Sequence, residues 1–391
     1  MRTVLPPSPP AKPPVDGWRF RWNLVAPLAF VLATSEGATA TEPPTSGPPA
    51  ETVAQAHALL EKEIAPHVPG LAAAVAVDGW LVWSEAFGFA DLEAQRPVTS
   101  ASRFRIGSIS KSLTAAGLLR LVEQGRIDLD APVQKYVPDF PVKPEGAITT
   151  RLLAGHLAGI RDYRNREPFL NRPFAGVRAE LQLFADDPLI APPGTRFSYA
   201  SLGWVLISAV MESAAHRDFL DFMAADVCSP LGLNHTRPDR TGAVDPDRTS
   251  FYATGPDGKF VAAPAVDLSS CWAAGGFLST AEDLVRFGSA MLRPGYLTED
   301  SRRLLFAGQK TTAGEPTGYG IGWYVRKDGA GRTLYYHDGA SHGGTAVLFL
   351  RPETRAVAAI LCNLSDADIA DQSMRLADLF ATLPAAAPER P

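Results

Sequence analysis

The sequence predicts an α/β protein: an antiparallel sheet built from both ends of the chain, flanked by helices, with an inserted and mostly helical region. Three observations lead there. Leu71–Val77 and Trp80–Phe87 flank Asp78-Gly79, and an Asp-Gly pair between apolar runs marks a hairpin because both turn positions need positive φ. Strand-like apolar runs return in the last third, at 320–326, 333–337, 345–350 and 356–362. Between them the spacing is helical or irregular as far as about residue 265. Strands at both ends around a helical middle give one sheet completed by both termini.

Taken in chain order, the first 50 residues carry the pairs Pro6-Pro7, Pro9-Pro10, Pro13-Pro14, Pro43-Pro44 and Pro48-Pro49, which no helix or sheet interior tolerates. Within this stretch, Arg19-Phe20-Arg21, the apolar run Leu24–Ala33 and Ala38-Thr39-Ala40 have the order of a secretory signal peptide. Residues 1–40 are therefore expected to be a leader, cut after Ala40, with 41–54 a Pro-rich tether. A domain over 55–383 and a disordered tail over 384–391 follow, in a periplasmic or secreted protein. An amphipathic helix is expected over 52–65, where Val53, Ala56, Leu59, Leu60 and Ile64 share a face. Another is expected over Ile109–Gln124, closed by Gly125. Further helices are expected at 201–213, 217–227 and 366–382.

Composition narrows the class. The chain has 391 residues, 46% hydrophobic, with a net charge of −5, so a nucleic-acid partner, which needs clustered Lys and Arg, is not expected. No apolar run reaches the roughly 18 residues of a membrane span. Three cysteines without a Cys-x-x-Cys pair make no disulfide framework. The seven histidines show no metal-ligand spacing, and no Gly-rich phosphate loop or Gly-x-Ser-x-Gly elbow occurs. Neither a metal nor a cofactor is expected. Oligomeric state and cysteine pairing are not legible.

Three short segments could carry chemistry. In Ser108-Ile109-Ser110-Lys111, a helix starting at Ile109 puts Ser108 at its N-terminus and Lys111 one turn later on the same side. The helix end offers N–H groups to an oxyanion, and a lysine of lowered pKa can take the hydroxyl proton. Serine is equally a favoured N-cap, so this motif alone is weak. Tyr199-Ala200-Ser201 precedes a helix; its phenol could join a proton relay and Ser201 could meet a substrate amide. His337-Asp338-Gly339-Ala340 ends an expected strand. There Gly339 would admit a ligand backbone, the Ala340 N–H would complete an oxyanion hole with that of Ser108, and His337 would anchor a substrate carboxylate or steer a proton.

In this order the three segments resemble the β-lactamase-like serine hydrolases: class C β-lactamases, D-alanyl-D-alanine peptidases and related esterases and aminopeptidases. Phe104-Arg105-Ile106-Gly107, Leu129-Asp130-Ala131-Pro132-Val133, His156-Leu157-Ala158-Gly159-Ile160 and Gly275-Gly276-Phe277-Leu278-Ser279-Thr280 also fit, and the resemblance covers roughly residues 55–383. It is nearest to the branch of the mitochondrial β-lactamase-like serine peptidases and their bacterial relatives. Class C β-lactamases carry Tyr-x-Asn and Lys-Thr-Gly, where this chain has Ser201 and His337.

The resemblance implies a serine hydrolase cleaving an amide or ester bond of a small-molecule or peptide substrate through an acyl-enzyme on Ser108. Lys111 and Tyr199 are its acid and base, with the acylation base open between them. Ser108 and Ala340 supply the oxyanion hole; Ser201, His337 and Gly339 bind substrate. β-Lactam hydrolysis and carboxylesterase activity are the alternative reactions. A binding or sensor protein on the same fold is the alternative class.

Overall fold

A computed structural model describes residues 47–381 and contains the expected sheet, of seven strands. They are β1 (Gly70–Val77), β2 (Trp80–Asp91), β3 (Arg96–Pro97), β4 (Tyr324–Lys327), β5 (Thr333–Ser341), β6 (Gly344–Arg351) and β7 (Ala356–Cys362). Their order is β3-β2-β1-β7-β6-β5-β4, with every neighbouring pair antiparallel. The two ends of the chain meet at the centre, where Leu71 faces Cys362 and Val77 faces Ala356. Asp78 and Gly79 turn the first hairpin with φ of 54° and 84°.

The central strands β1, β6 and β7 are buried along their whole length. They read as continuous apolar runs because both faces of the sheet are covered. Alternate residues divide between two cores. Ala72, Ala74, Leu348, Leu350, Ala359 and Leu361 face α4 (Ala281–Leu292) and the helical region. Leu71, Ala73, Val347, Phe349, Ala358 and Ile360 face α1 (Ala50–Glu63) and α5 (Ala370–Phe380). The helical region is built around α2 (Ile109–Glu123) and α3 (Ser201–Ala215). Helix α2 is buried nearly all round, which explains its lack of an amphipathic stripe; Gly125 follows it with φ 67°.

Several elements differ from expectation. Helix α1 starts at Ala50, inside the segment read as tether, with Pro49 as its N-cap; the fixed φ of proline suits the residues that open a helix. The leader 1–40 and the tail 384–391 lie outside the described residues. The strand expected over 320–326 begins only at Tyr324, because Gly318 and Gly322 take left-handed φ of 66° and 73°. A Cβ on Gly320 would lie 2.3 Å from the Leu305 carbonyl oxygen, and one on Gly322 would lie 3.0 Å from that of Lys111. The segment 217–227 becomes a short α-turn, Phe219–Phe222, and a π-helix, Met223–Cys228. Phe104–Arg105, Arg237–Pro238 and Phe277–Ser279 form a small second sheet, and Tyr252–Thr254 pairs with Phe260–Ala262. Strands of two or three residues leave no periodic signal. Among the described residues, no helix is long and apolar enough to cross a membrane.

Candidate active site

Ser108 stands at the N-terminus of α2, and its side chain does not cap the helix. The alternative role for this serine is therefore absent. Its hydroxyl instead meets Lys111, whose Nζ lies 2.9 Å from Ser108 Oγ, 3.2 Å from Ser201 Oγ and 2.8 Å from the Ala274 carbonyl oxygen. The ammonium is fully buried and lies 4.9 Å from the centre of the Tyr199 ring. Burial brings its pKa down to about 8, against the opposing negative charges of Asp162 and Asp338. At neutral pH about a tenth of the amine is then free to accept a proton.

Tyr199 moves the other way. Burial, then Tyr324, hold its phenol well above 10, and a hydrogen bond with Ser108 only partly offsets this. It is a neutral phenol at physiological pH. Ser201 opens α3; Asp162 Oδ1 accepts its backbone N–H at 2.9 Å. The Tyr199-Ala200-Ser201 segment is thus brought to Ser108 and Lys111, as the sequence predicts.

Strand β5 closes the site. It pairs with β4 only from Thr333 to Tyr336, so the stretch from His337 to Ser341 is a free edge facing the start of α2. Ser341 and Gly344 close a two-residue turn. Alternation then aims the Ala340 N–H off β6, toward that free edge. A Cβ on Gly107, at φ 48°, would lie 2.7 Å from Ala340 N. The two backbones can approach only because Gly107 is glycine.

Two expectations at this strand need correction. Gly339 admits the chain's own backbone, not a ligand's: a Cβ there would lie 1.9 Å from the Ile106 carbonyl oxygen and 3.1 Å from Ser108 N. His337 sits inside β5 rather than at its end, and it is buried, with both ring nitrogens occupied. Its Nδ1 lies 2.6 Å from the Asp338 carbonyl oxygen and its Nε2 2.8 Å from the Tyr319 hydroxyl. A carbonyl only accepts, so Nδ1 carries the proton and Nε2 accepts from Tyr319. No ring N–H is left for a substrate carboxylate. Burial, aided by the charge on Lys111 and opposed by Asp338, takes the His337 pKa down to about 4.

Ser108, Ser201 and Ala340 open onto a cleft of about 190 Å³, walled by Tyr163, Cys271 and His342. No Arg or Lys lines it among the described residues. Two larger hollows, of about 580 and 540 Å³, lie elsewhere and include none of the site residues. Sequence reasoning missed Asp162, Tyr163 and Tyr319. The only signal for Asp162 was its place just beyond the segment 156–160; Tyr319 was hidden in a glycine-rich run.

The fold, with a serine, a lysine and a tyrosine gathered at the start of α2, defines a class, the β-lactamase-like serine hydrolases with a penicillin-binding architecture. The chain belongs to the beta-lactamase family, whose model matches residues 31–381. The human mitochondrial serine beta-lactamase-like protein LACTB is 30% identical, over 79% of this chain and 76% of its own length. Penicillin-binding protein 4* of Bacillus subtilis is 25% identical, over 80% of this chain and 72% of its own. Among solved structures, the octameric penicillin-binding protein homologue from Pyrococcus abyssi superposes with a TM-score of 0.73 at 26% identity, covering 84% of this chain and 76% of that one.

Proposed function

We propose that this serine hydrolase cleaves an amide or ester bond of a peptide-like substrate through an acyl-enzyme on Ser108. The observation that carries the proposal is the 2.9 Å contact between Ser108 Oγ and a buried Lys111 whose pKa lies at about 8. Lys111 is the acylation base: its neutral form is accessible near physiological pH, whereas the Tyr199 phenolate is not. Ser108 Oγ attacks the carbonyl as its proton passes to Lys111. The N–H groups of Ser108 and Ala340 hold the oxyanion, at about 3–4 kcal/mol per donor. Tyr199 relays the proton from Lys111 to the leaving amine or alkoxide. Water then attacks the acyl-enzyme carbonyl and gives a proton to Lys111, which passes it to Ser108 Oγ as the acyl–oxygen bond breaks and the acid leaves.

The cleft favours substrates without a carboxylate beside the scissile bond, since apart from Lys111, which is engaged with Ser108, no Arg or Lys lines it among the described residues and His337 is neutral and engaged. A peptide or ester therefore suits it better than a β-lactam, whose ring carboxylate would lack a partner. Ser201 faces the cleft as the contact for a substrate amide. Export, directed by residues 1–40, is part of this reading and is supported by the order of basic, apolar and Ala-x-Ala segments in the sequence; N-terminal sequencing of the native protein tests it.

The deciding experiment is intact-mass analysis after a fluorophosphonate probe, run beside Ser108→Ala. One adduct, lost in the variant, is expected, followed by faster turnover of esters and peptides than of nitrocefin. Faster nitrocefin turnover would make the protein a β-lactamase. The absence of an adduct on folded protein would leave the binding reading.

A further inference from the structure

Behind Ser108 lies a column of aromatic and imidazole rings that the acyl-transfer steps do not use. His156 is buried, at a left-handed φ of 58°. Three of its parts hold the segment around Tyr199. Its carbonyl accepts from Ser198 N–H at 2.9 Å, its Nδ1 accepts from Ala200 N–H at 3.1 Å, and its ring stacks on Tyr199 with centroids 4.2 Å apart. An imidazole that accepts at Nδ1 is neutral, and burial together with the charge on Lys111 keeps it so. On its other side His156 meets Tyr319 edge to face at 4.7 Å. Tyr319 is fully buried and donates its hydroxyl to His337, which in turn donates to the Asp338 carbonyl of β5. Two residues further along β5 is Ala340.

We propose that His156, Tyr319 and His337 are positioning residues that tie the Tyr199 phenol to the oxyanion strand, so that proton relay and oxyanion donor hold their spacing as one unit. This rests on the hydrolase reading above. The column accounts for the histidine of the third segment without any substrate contact. Each joint uses a specific atom: an acceptor at His156 Nδ1, a donor at Tyr319 Oη, and opposite tautomers on the two histidines. Misplacement of a catalytic group by about 1 Å can cost roughly a hundredfold in rate, so a modest loosening is measurable. The groups that face His337 and bear on its charge are Asp338, Lys111, Tyr199, Tyr319, Tyr324 and His156.

The test compares the whole protein with Tyr319→Phe, His156→Phe and His156→Gln. 15N-histidine NMR of the wild type should show His337 protonated at Nδ1 and His156 at Nε2. In Tyr319→Phe the neutral form of His337 loses a hydrogen-bond donor, so its titration should rise by about one pH unit. On an ester substrate, kcat should fall about tenfold with KM nearly unchanged. His156→Phe keeps the ring and His156→Gln keeps an acceptor; each should lose kcat. The pair His156→Phe with Tyr319→Phe should lose less than the product of the two single effects. Wild-type fluorophosphonate labelling in both Phe variants, or the opposite His337 tautomer, would overturn the proposal, as would a rise in KM confined to carboxylate-bearing substrates. Failure of the hydrolase reading looks different: the wild type itself takes no adduct.

Discussion

The Asp162 carboxylate accepts the backbone N–H of Ser201 at 2.9 Å and so fastens the start of α3 at the residue whose hydroxyl receives a hydrogen bond from Lys111. Its charge is also the largest influence holding the Lys111 pKa up against burial. Asp162→Asn keeps an acceptor but removes the charge. The Lys111 pKa should fall, so the rising limb of kcat/KM should move to lower pH, as a pH–rate profile would show. Asp162→Ala removes the acceptor too and should cost about 1 kcal/mol of stability, the usual loss of an N-terminal helix cap, read by urea unfolding.

Lys111 links activity and stability with opposite signs. Lys111→Met should lower kcat/KM by about 10²–10⁴-fold, the span of a lost general base. The folded pKa of about 8 lies below the ordinary 10.5, so between these values the unfolded chain binds more protons. Wild-type stability should therefore rise with pH across that window. Lys111→Met should melt higher than wild type at pH 7 and lose this rise; calorimetry from pH 7 to 10.5 checks both.

Gly339 admits no side chain. With the Ile106 carbonyl oxygen 1.9 Å from an added Cβ, Gly339→Ala must push β5 away from the start of α2. At least the ~1–3 kcal/mol typical of overpacking is expected, and the fluorophosphonate labelling rate of Ser108 should fall more steeply than stability accounts for. A variant that labels at the wild-type rate would show that Ala340 is not an oxyanion donor.

Asp239 is the buried hub of a charged brace. It accepts from Arg105 Nε at 2.7 Å and from Arg248 Nε at 2.7 Å, and Arg105 also donates to the His342 carbonyl in the turn after β5. Asp239→Ala leaves two guanidinium groups without their anion. The expected loss is about 3–5 kcal/mol, seen as a lower urea midpoint, with Arg105 no longer holding the cleft wall at His342.

The sequence made legible whatever depends on neighbours in the chain. The Asp78-Gly79 turn, the apolar runs of β6 and β7, and the Ser108-to-Lys111 spacing on one helical turn all follow from local geometry. Tyr199 and Ser201 were found because they precede a helix in a recognisable order. What escaped depends on contacts that only the fold creates. His337 carries the side chain a substrate anchor would need, yet Tyr319, on a separate glycine-rich stretch, takes its free nitrogen. Gly339 signals a close approach in either reading, and one strand alone does not say which backbone arrives. The start of β4 was misplaced because Gly318 and Gly322 serve packing and chain reversal rather than strand extension.

The pairing of β1 with β7 has a consequence during synthesis. Ser108 and Lys111 leave the ribosome early, but β5, which carries Ala340, and β7, the partner of β1, are made near the end. Contacts this distant in sequence close slowly, and the N-terminal hairpin has one unpaired edge until they do. On the acyl-transfer mechanism proposed above, a nascent chain therefore holds Ser108 and Lys111 before the Ala340 N–H is in place, and the reaction waits until the last strands dock.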